Sequence, residues 1–464
     1  MEEQQAIALV RATILFGLGR IPQIGGLLAG LTGVLWPAEK EDVWPQIRQR
    51  TEALVGQKIS AQVYQNVENS LAGLEADLDD YLEAVELGNR TTLSQTFTAC
   101  DLLFDHDRPL FQAKGYELLL LPLFAQFANL HLALLRDGAL HGGDWGLDAS
   151  AIRNKLTRKI KDYGDYADSV YGIGYQDYLQ EAGKQKSGEQ QFRVLNAFQR
   201  DIQIGVLNYR WAWPYFDVAA YPGPVAVPDF REIYSDPVGK TTDSGRIPAL
   251  YTPTGRLLRI DIWAWDRIDA AQLTYSDHGG PHEMTVTTRM GNSSGGSNQP
   301  PHGGSFSVDA DPVVAVTAYG GDVFHALQLA FRSASKSHLM GVVNGTRQEI
   351  AYPGLKLSSI WINGVSRYYG SADCAVFGFL ADEEAIVRAG LRASYKTSPS
   401  GESVDALVTS QKGLAVDGAR IRAASESEDW EAERRSWRGE VEARRQSRRR
   451  ERSSQTALPP NPAV

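Results

Sequence analysis

A chain of 464 residues, 43% hydrophobic and 22% charged, is too long for one ordinary core and has the composition of a water-soluble, multidomain protein. The net charge of −9 gives no basic footprint for nucleic acid, and two cysteines, Cys100 and Cys374, offer neither a disulfide framework nor a zinc site. The opening "MEEQQAIALVRATILFG" places acids where an export signal needs lysine or arginine, so the expectation is a protein made in a cytoplasm without a signal peptide.

Residues 1 to about 215 read as helices, within a helical domain expected over 1–240. "IPQIGGLLAGLTGVLWP" (21–37) reads as a bent, buried connection bracketed by prolines. From Asp42 to Leu87, leucines 54, 71, 74, 78 and 82 recur at three- and four-residue spacing, which predicts one or two amphipathic helices. A further helix is expected from about 88 to 105, ended by Pro109, and the polar link "HDRPLFQAKGY" leads into "LLLLPLFAQFANLHLALLRDG" (118–138). Together they form a helical hairpin. Its second arm is almost long enough and almost apolar enough to cross a bilayer, yet it carries Pro122, Gln126, Asn129 and His131. Burying those amides and the imidazole without partners costs on the order of 2 kcal/mol or more each, so the helix is marginal in lipid and suited to a bundle core. Two more long helical patterns follow, at 147–180 and 189–216.

The prolines and glycines of "YPGPVAVPDFREIYSDPVG" mark a boundary near residue 240. Over 241–382 alternation replaces helical spacing, as in "LLRIDIWAWD" and "AVTAYGG". "DAAQLTYSD" and "FHALQLAFRS" echo one another, each after a strand-like run, and "LSSIWINGVSRYYGSADCAVFGFL" is a more degenerate third unit. Three such units suggest a three-sheet β-prism, jacalin- or vitelline-like, so the fold class expected overall is α+β. Residues 383–464 form a charged, Arg-rich tail, read as disordered or helical, in which Arg434, Arg435 and Arg445 are candidate protease-sensitive sites.

Catalysis finds no foothold. "DPVGKTT" lacks the first glycine of a phosphate-binding loop, "DHGGPH" is a flexible turn that fixes no metal geometry, and no H-E-x-x-H, G-x-S-x-G or paired C-x-x-C occurs. No enzyme, cofactor or metal site is expected.

Four stretches carry a resemblance. "FAQFANLHLALLRDG" (124–138), "NAFQRDIQIGVLNYRWAWPYFDVAAYP" (196–222), "FREIYSDPVG" (230–239) and "KLSSIWINGVSRYYGSADCAVFGFL" (356–380) resemble, in order and spacing, blocks of the insecticidal crystal (Cry) delta-endotoxins. The resemblance covers residues 1 to about 382. It implies a seven-helix bundle around a central hydrophobic helix, followed by a β-prism that binds a cell-surface receptor glycoprotein or glycan. It also implies a toxin produced in a bacterial cytoplasm, as an inclusion, and acting outside at a target-cell membrane. There the hairpin inserts and the protein self-oligomerises into a pore. The hairpin residues so implied are Phe97, Leu102 and Leu103 on the first arm. On the second they are Leu118, Leu121, Pro122, Phe124, Asn129, Leu130, His131, Leu132 and Leu135, with Arg136 and Asp137 as a structural ion pair. The receptor-binding loops so implied hold Asp277, His278, Gly279, Gly280, Asn292, His302, Ser337, His338, Asn344, Arg367, Tyr368 and Tyr369. The family's third domain and its long N-terminal extension have no counterpart in the chain as read. The alternative reading is a non-lytic, lectin-like carbohydrate-binding protein with a helical scaffold; a third is a homologue with a structural or defensive role.

Overall fold

The computed structural model describes residues 3–18, 24–37, 43–223, 225, 232–240, 255–276, 284–366 and 369–382. The helical part comprises α1 (Glu3–Leu18), α2 (Gly26–Leu35), α3 (Val43–Val55), α4 (Ala61–Leu87), α5 (Arg90–Asp107), α6 (Glu117–His141), α7 (Ala149–Gly183) and α8 (Gly188–Ile202). A π-turn, Gln203–Leu207, carries α8 on into α9 (Asn208–Ala212). Several starts are set by side-chain caps: the Asn89 Oδ1 accepts from the amides of Thr91 and Thr92, and the Asp148 Oδ1 from those of Ser150 and Ala151. Gly88 ends α4 with a φ of 65°, a left-handed conformation that costs glycine little.

The second part is antiparallel throughout. Its first sheet runs β5 (Met284–Val286), β4 (Ile268–Ser276), β3 (Leu257–Ala264), β7 (Gly304–Ser307), with β6 (Met290–Gly291) also on β4. The second runs β10 (Met340–Gly341), β9 (Phe324–Phe331), β8 (Val313–Gly320), β11 (Thr346–Ala351). The third runs β1 (Ile233–Tyr234), β13 (Ala372–Ala381), β12 (Leu355–Val365), with β2 (Val238–Gly239) on β13. Strands β1 and β2 thus pair with β13 although they precede residue 240.

Two parts of the expected fold class are corrected. The described helices make eight rods, counting α8 and α9 as one, where seven were expected; residues 26–35, read as a bent connection, form a helix of their own. The closed β-prism is not what forms: the three sheets are open, and none curls into a barrel. The outer strands explain why. Strands β1, β2, β6 and β10 are two residues long, so the ladders stop before one sheet reaches the next. The inward faces share one apolar core, in which Ile260, Leu273, Val316, Leu327, Ile360 and Phe377 meet.

A pseudo-threefold element underlies this core. Each sheet is built on one long hairpin, β3–β4, β8–β9 or β12–β13, and on each second strand rests a two-residue strand ending in glycine. Those glycines, Gly239, Gly291 and Gly341, have φ of 93°, 93° and 77°. A Cβ on them would collide with the carbonyl oxygens of Asp373, Asp269 and His325 respectively. The same close approach therefore occurs three times.

The two parts are fastened together. Ala12 lies in the β-domain core with Leu15, Ile204 and Trp211 packed against it. The Asn196 Nδ2 donates to the carbonyls of Tyr234 (2.9 Å) and Ser235 (3.0 Å), and the Arg200 guanidinium pairs with Asp236 at 3.1 Å.

Candidate functional site: a buried hairpin and the tip of the sheets

Helices α5 and α6 are joined by the 3-10 turn Arg108–Gln112, whose Pro109 follows the end of α5 as its missing N–H requires. Every residue of α6 from Leu119 to Ala139 is buried. Among the described helices it is the one long and apolar enough to cross a membrane, and it is enclosed by α2, α3, α5 and α7. Phe97 is buried on the inner face of α5, Leu103 and Leu118 are half-buried, and Leu102 faces solvent. Leu121, Pro122, Phe124, Leu130, Leu132 and Leu135 are all in the core.

The polar groups of α6 find partners far away in sequence. The His131 ring lies with Nε2 2.9 Å from Asp101 Oδ1 on α5 and Nδ1 2.5 Å from the Tyr163 hydroxyl on α7, and it stacks on Phe104. The Asn129 amide donates to Gln126 Oε1 (3.1 Å) and accepts from Trp213 Nε1 (2.8 Å). Arg136 and Asp137 do not pair with each other. Arg136 donates to the carbonyls of Phe216 (3.0 Å), Tyr215 and Tyr221, while Asp137 accepts from the Gly25 amide (2.8 Å) and the Tyr81 hydroxyl (3.3 Å). Adjacent residues on a helix point about 100° apart, so each is free to tie α6 to a different neighbour.

A second tie lies on the outer side of the hairpin. Lys155 on α7 pairs with Asp101 (2.6 Å) and Asp105 (2.8 Å) of α5, and Lys159 also pairs with Asp105. Burial works against the Lys155 charge, but the two carboxylates outweigh it and hold the ammonium above the usual lysine range. Burial also pushes the Tyr163 hydroxyl well above the ordinary tyrosine range, so it stays protonated against His131. Sequence spacing marked His131 but could not find Asp101, Lys155 or Tyr163, since nothing local connects them.

The expected receptor-loop residues scatter. Asp277, His278, Gly279, Gly280, Arg367 and Tyr368 lie outside the described residues, as do Arg434, Arg435 and Arg445. Ser337 is buried and its hydroxyl accepts from the Leu329 amide; the His338 Nε2 sits 2.9 Å from the Gly303 carbonyl. Asn292, His302, Asn344 and Tyr369 gather instead at the end of the domain where the three hairpins turn. There the Asn292 Nδ2 donates to the Gly370 carbonyl (2.6 Å), His302 packs edge-on to Trp265 (4.7 Å between rings), and the Arg267 guanidinium covers the Tyr369 ring at 4.4 Å. The Val342 amide reaches the Asp266 carbonyl at 3.1 Å. Trp265, Asp266, Arg267, Asp322, Val342 and Val343, which complete this tip, were missed. Trp265, Asp266 and Arg267 sit on a tight turn without glycine, marked by the break in alternation at "WAWDRID", whereas Asp322, Val342 and Val343 adjoin Gly321, Gly341 and Gly345, where glycine signals a turn but not its place in the fold. Among the described residues, no group of three or more His, Cys, Asp or Glu could hold a metal ion.

A bundle that hides a membrane-length helix thus stands beside three open sheets. Residues 13–217 match the family described as delta endotoxin, N-terminal domain. The chain is 33% identical over 245 residues to pesticidal crystal protein Cry26Aa of Bacillus thuringiensis subsp. finitimus, covering 50% of this chain and 20% of that one. It is 31% identical over 275 residues to Cry19Aa of Bacillus thuringiensis subsp. jegathesan, covering 53% and 40%. In fold it resembles insecticidal delta-endotoxin Cry8Ea1 from Bacillus thuringiensis (TM-score 0.66, 21% identity, 82% of this chain and 74% of that one). It resembles PirB likewise (TM-score 0.66, 14% identity, 81% and 94%). The family match thus covers the helical part of the chain, residues 13–217. The matched segments span between 20% and 40% of the length of these two curated relatives.

Proposed function

We propose that this chain is a non-enzymatic, pore-forming toxin of insecticidal type. The β domain binds a receptor glycoprotein or glycan on the target-cell surface, the α5–α6 hairpin leaves the bundle and enters the membrane, and copies assemble into a pore. The chain is made in a bacterial cytoplasm and acts at the membrane of another cell.

One observation carries the reading: α6 is apolar enough for lipid, yet each of Asn129, His131, Arg136 and Asp137 is bonded to a group outside the hairpin's second arm. The helix is held in water by specific ties, which distinguishes it from a core helix retained by packing alone. Separating those ties costs several kcal/mol, offset when some 20 apolar residues enter lipid.

The test uses Gly205, in the π-turn, whose Cβ if present would lie 3.7 Å from that of Pro122. This is near the mean Cβ separation of a disulfide, so Pro122→Cys with Gly205→Cys clips α6 to the α8–α9 rod. The native Cys100 and Cys374 lie apart, on α5 and β13, so the new pair is set off from them by the proximity of its two Cβ positions. Oxidised protein should not release dye from vesicles, and reduction should restore release. Equal release under both conditions would contradict hairpin insertion. No release from either form, with glycan binding intact, would favour the lectin-like reading.

A further inference from the structure

We propose that the tip of the β domain is itself a lipid-contacting surface that seats in the headgroup–acyl boundary of a zwitterionic bilayer, before and independently of hairpin insertion. The proposal deepens the membrane reading above, but concerns a different part of the molecule and a different step.

Large exposed apolar side chains are few in the described residues, and five gather at this end: Trp265 (53% exposed), Val342 (56%), Val343 (54%), Tyr369 (49%) and Val365 (41%). They come from the turns of two hairpins, β3–β4 and β12–β13, and from the segment after β10. They therefore crown the place where the sheets converge. A protruding crown of this kind fits a deformable surface, which closes around it without needing a matching groove. Tryptophan and tyrosine, each an apolar ring with a polar tip, are the residues that favour the water–lipid boundary.

The charges at the tip select the kind of lipid. Asp266 pairs with Arg267 at 2.8 Å, and Asp322 lies 2.9 Å from His325 and also bonds the Tyr369 hydroxyl. Arg347 pairs with Glu349 on β11 beside them. Among the described residues, Arg267 and Arg347 are each neutralised by an adjacent carboxylate, which leaves them little pull on anionic headgroups. A surface whose charges are cancelled in place loses least on approaching a low dielectric. Backbone hydrogen bonds also brace the turns before any contact is made. The Trp265 amide donates to the Arg267 carbonyl, the Gly321 amide to that of Val323, and the Ser366 amide to that of Ser371. Little ordering is left to be done on contact.

The test is flotation of the whole chain with phosphatidylcholine vesicles that carry neither receptor nor glycan, using the oxidised Pro122→Cys/Gly205→Cys protein so that the hairpin cannot contribute. The clipped protein should float with the vesicles. Val342→Asp with Val343→Asp should weaken that binding at least about tenfold. Met284→Asp with Val286→Asp, equally exposed but on β5 at the other end of the first sheet, should leave it unchanged. Brominated acyl chains should quench part of the tryptophan fluorescence, and Trp265→Phe should abolish that part. Absence of flotation, equal loss in both double variants, or flotation only with added glycolipid would each overturn the proposal. Dye release reports hairpin insertion separately, so failure of one reading is distinguishable from failure of the other.

Discussion

The Asp137 carboxylate on α6 accepts a 2.8 Å hydrogen bond from the backbone amide of Gly25, 112 residues earlier in the chain. The same oxygen takes the Tyr81 hydroxyl of α4, so one buried side chain ties the end of the central helix to the entrance of α2 and to α4. Asp137→Ala strands a buried N–H and a buried O–H, and is expected to cost about 2–4 kcal/mol in chemical unfolding. Asp137→Asn keeps an acceptor at the site and should cost about half as much or less. A loss under about 0.5 kcal/mol for the alanine variant would mean that the tie is not made.

The clasp between α7 and α5 should act as a brake on release of the hairpin. Lys155→Ala removes the cation shared by Asp101 and Asp105. Tyr163→Phe removes the hydroxyl against His131. Each is expected to lower stability by about 1–2 kcal/mol and to speed dye release from vesicles. Slower release in either variant would show that these contacts assist insertion instead.

The glycines at the end of β2, β6 and β10 should behave alike. Gly239→Ala, Gly291→Ala and Gly341→Ala each force a side chain into left-handed backbone above a carbonyl, so each should lose at least about 1–2 kcal/mol. Gly33→Ala, in open space on α2, is the contrasting case and should gain about 0.5–1 kcal/mol. Thermal unfolding of the four variants checks the contrast.

Asp269 gives the β domain a pH dependence. Burial first, then the nearby Asp266 carboxylate, raise its pKa to about 6 against an ordinary value of 3.8. A carboxyl whose pKa is higher folded than unfolded contributes stability that is full below about pH 4 and is lost as pH rises through about 6. Asp269→Asn should therefore flatten the stability profile between pH 4 and 7. The gain at neutral pH should be about 1–2 kcal/mol, kept small because the Arg289 and Arg267 charges favour the folded carboxylate. An unchanged profile would assign the pH dependence elsewhere.

Much of the helical part was legible because apolar spacing and proline act locally. The first arm of the hairpin was expected over about 88–105 and is found at Arg90–Asp107; the second was expected over 118–138 and is found at Glu117–His141. The partners of its polar residues were not legible. Asp101, Tyr163 and Trp213 lie 30, 32 and 84 residues from the groups they bond, and only the packed bundle brings them together. In the sheets, the internal echo marked two hairpins through β4 and β9 and, in more degenerate form, the third at β12–β13, whereas edge-strand length, which keeps the sheets open, leaves little trace in composition. Gly-, Ser- and Asn-rich stretches drew attention away from Trp265 and Val342, since flexible composition signals a loop but not which end of a domain that loop occupies.

The repeated seating of Gly239, Gly291 and Gly341 over a neighbouring carbonyl has an evolutionary corollary. Each hairpin is pinned on its own strand, so the peptide that caps it can change without moving the strands beneath. Diversification is then confined to the caps, and because Arg267 and Asp322 both touch Tyr369, an engineer seeking a new target for this scaffold would vary those three positions together.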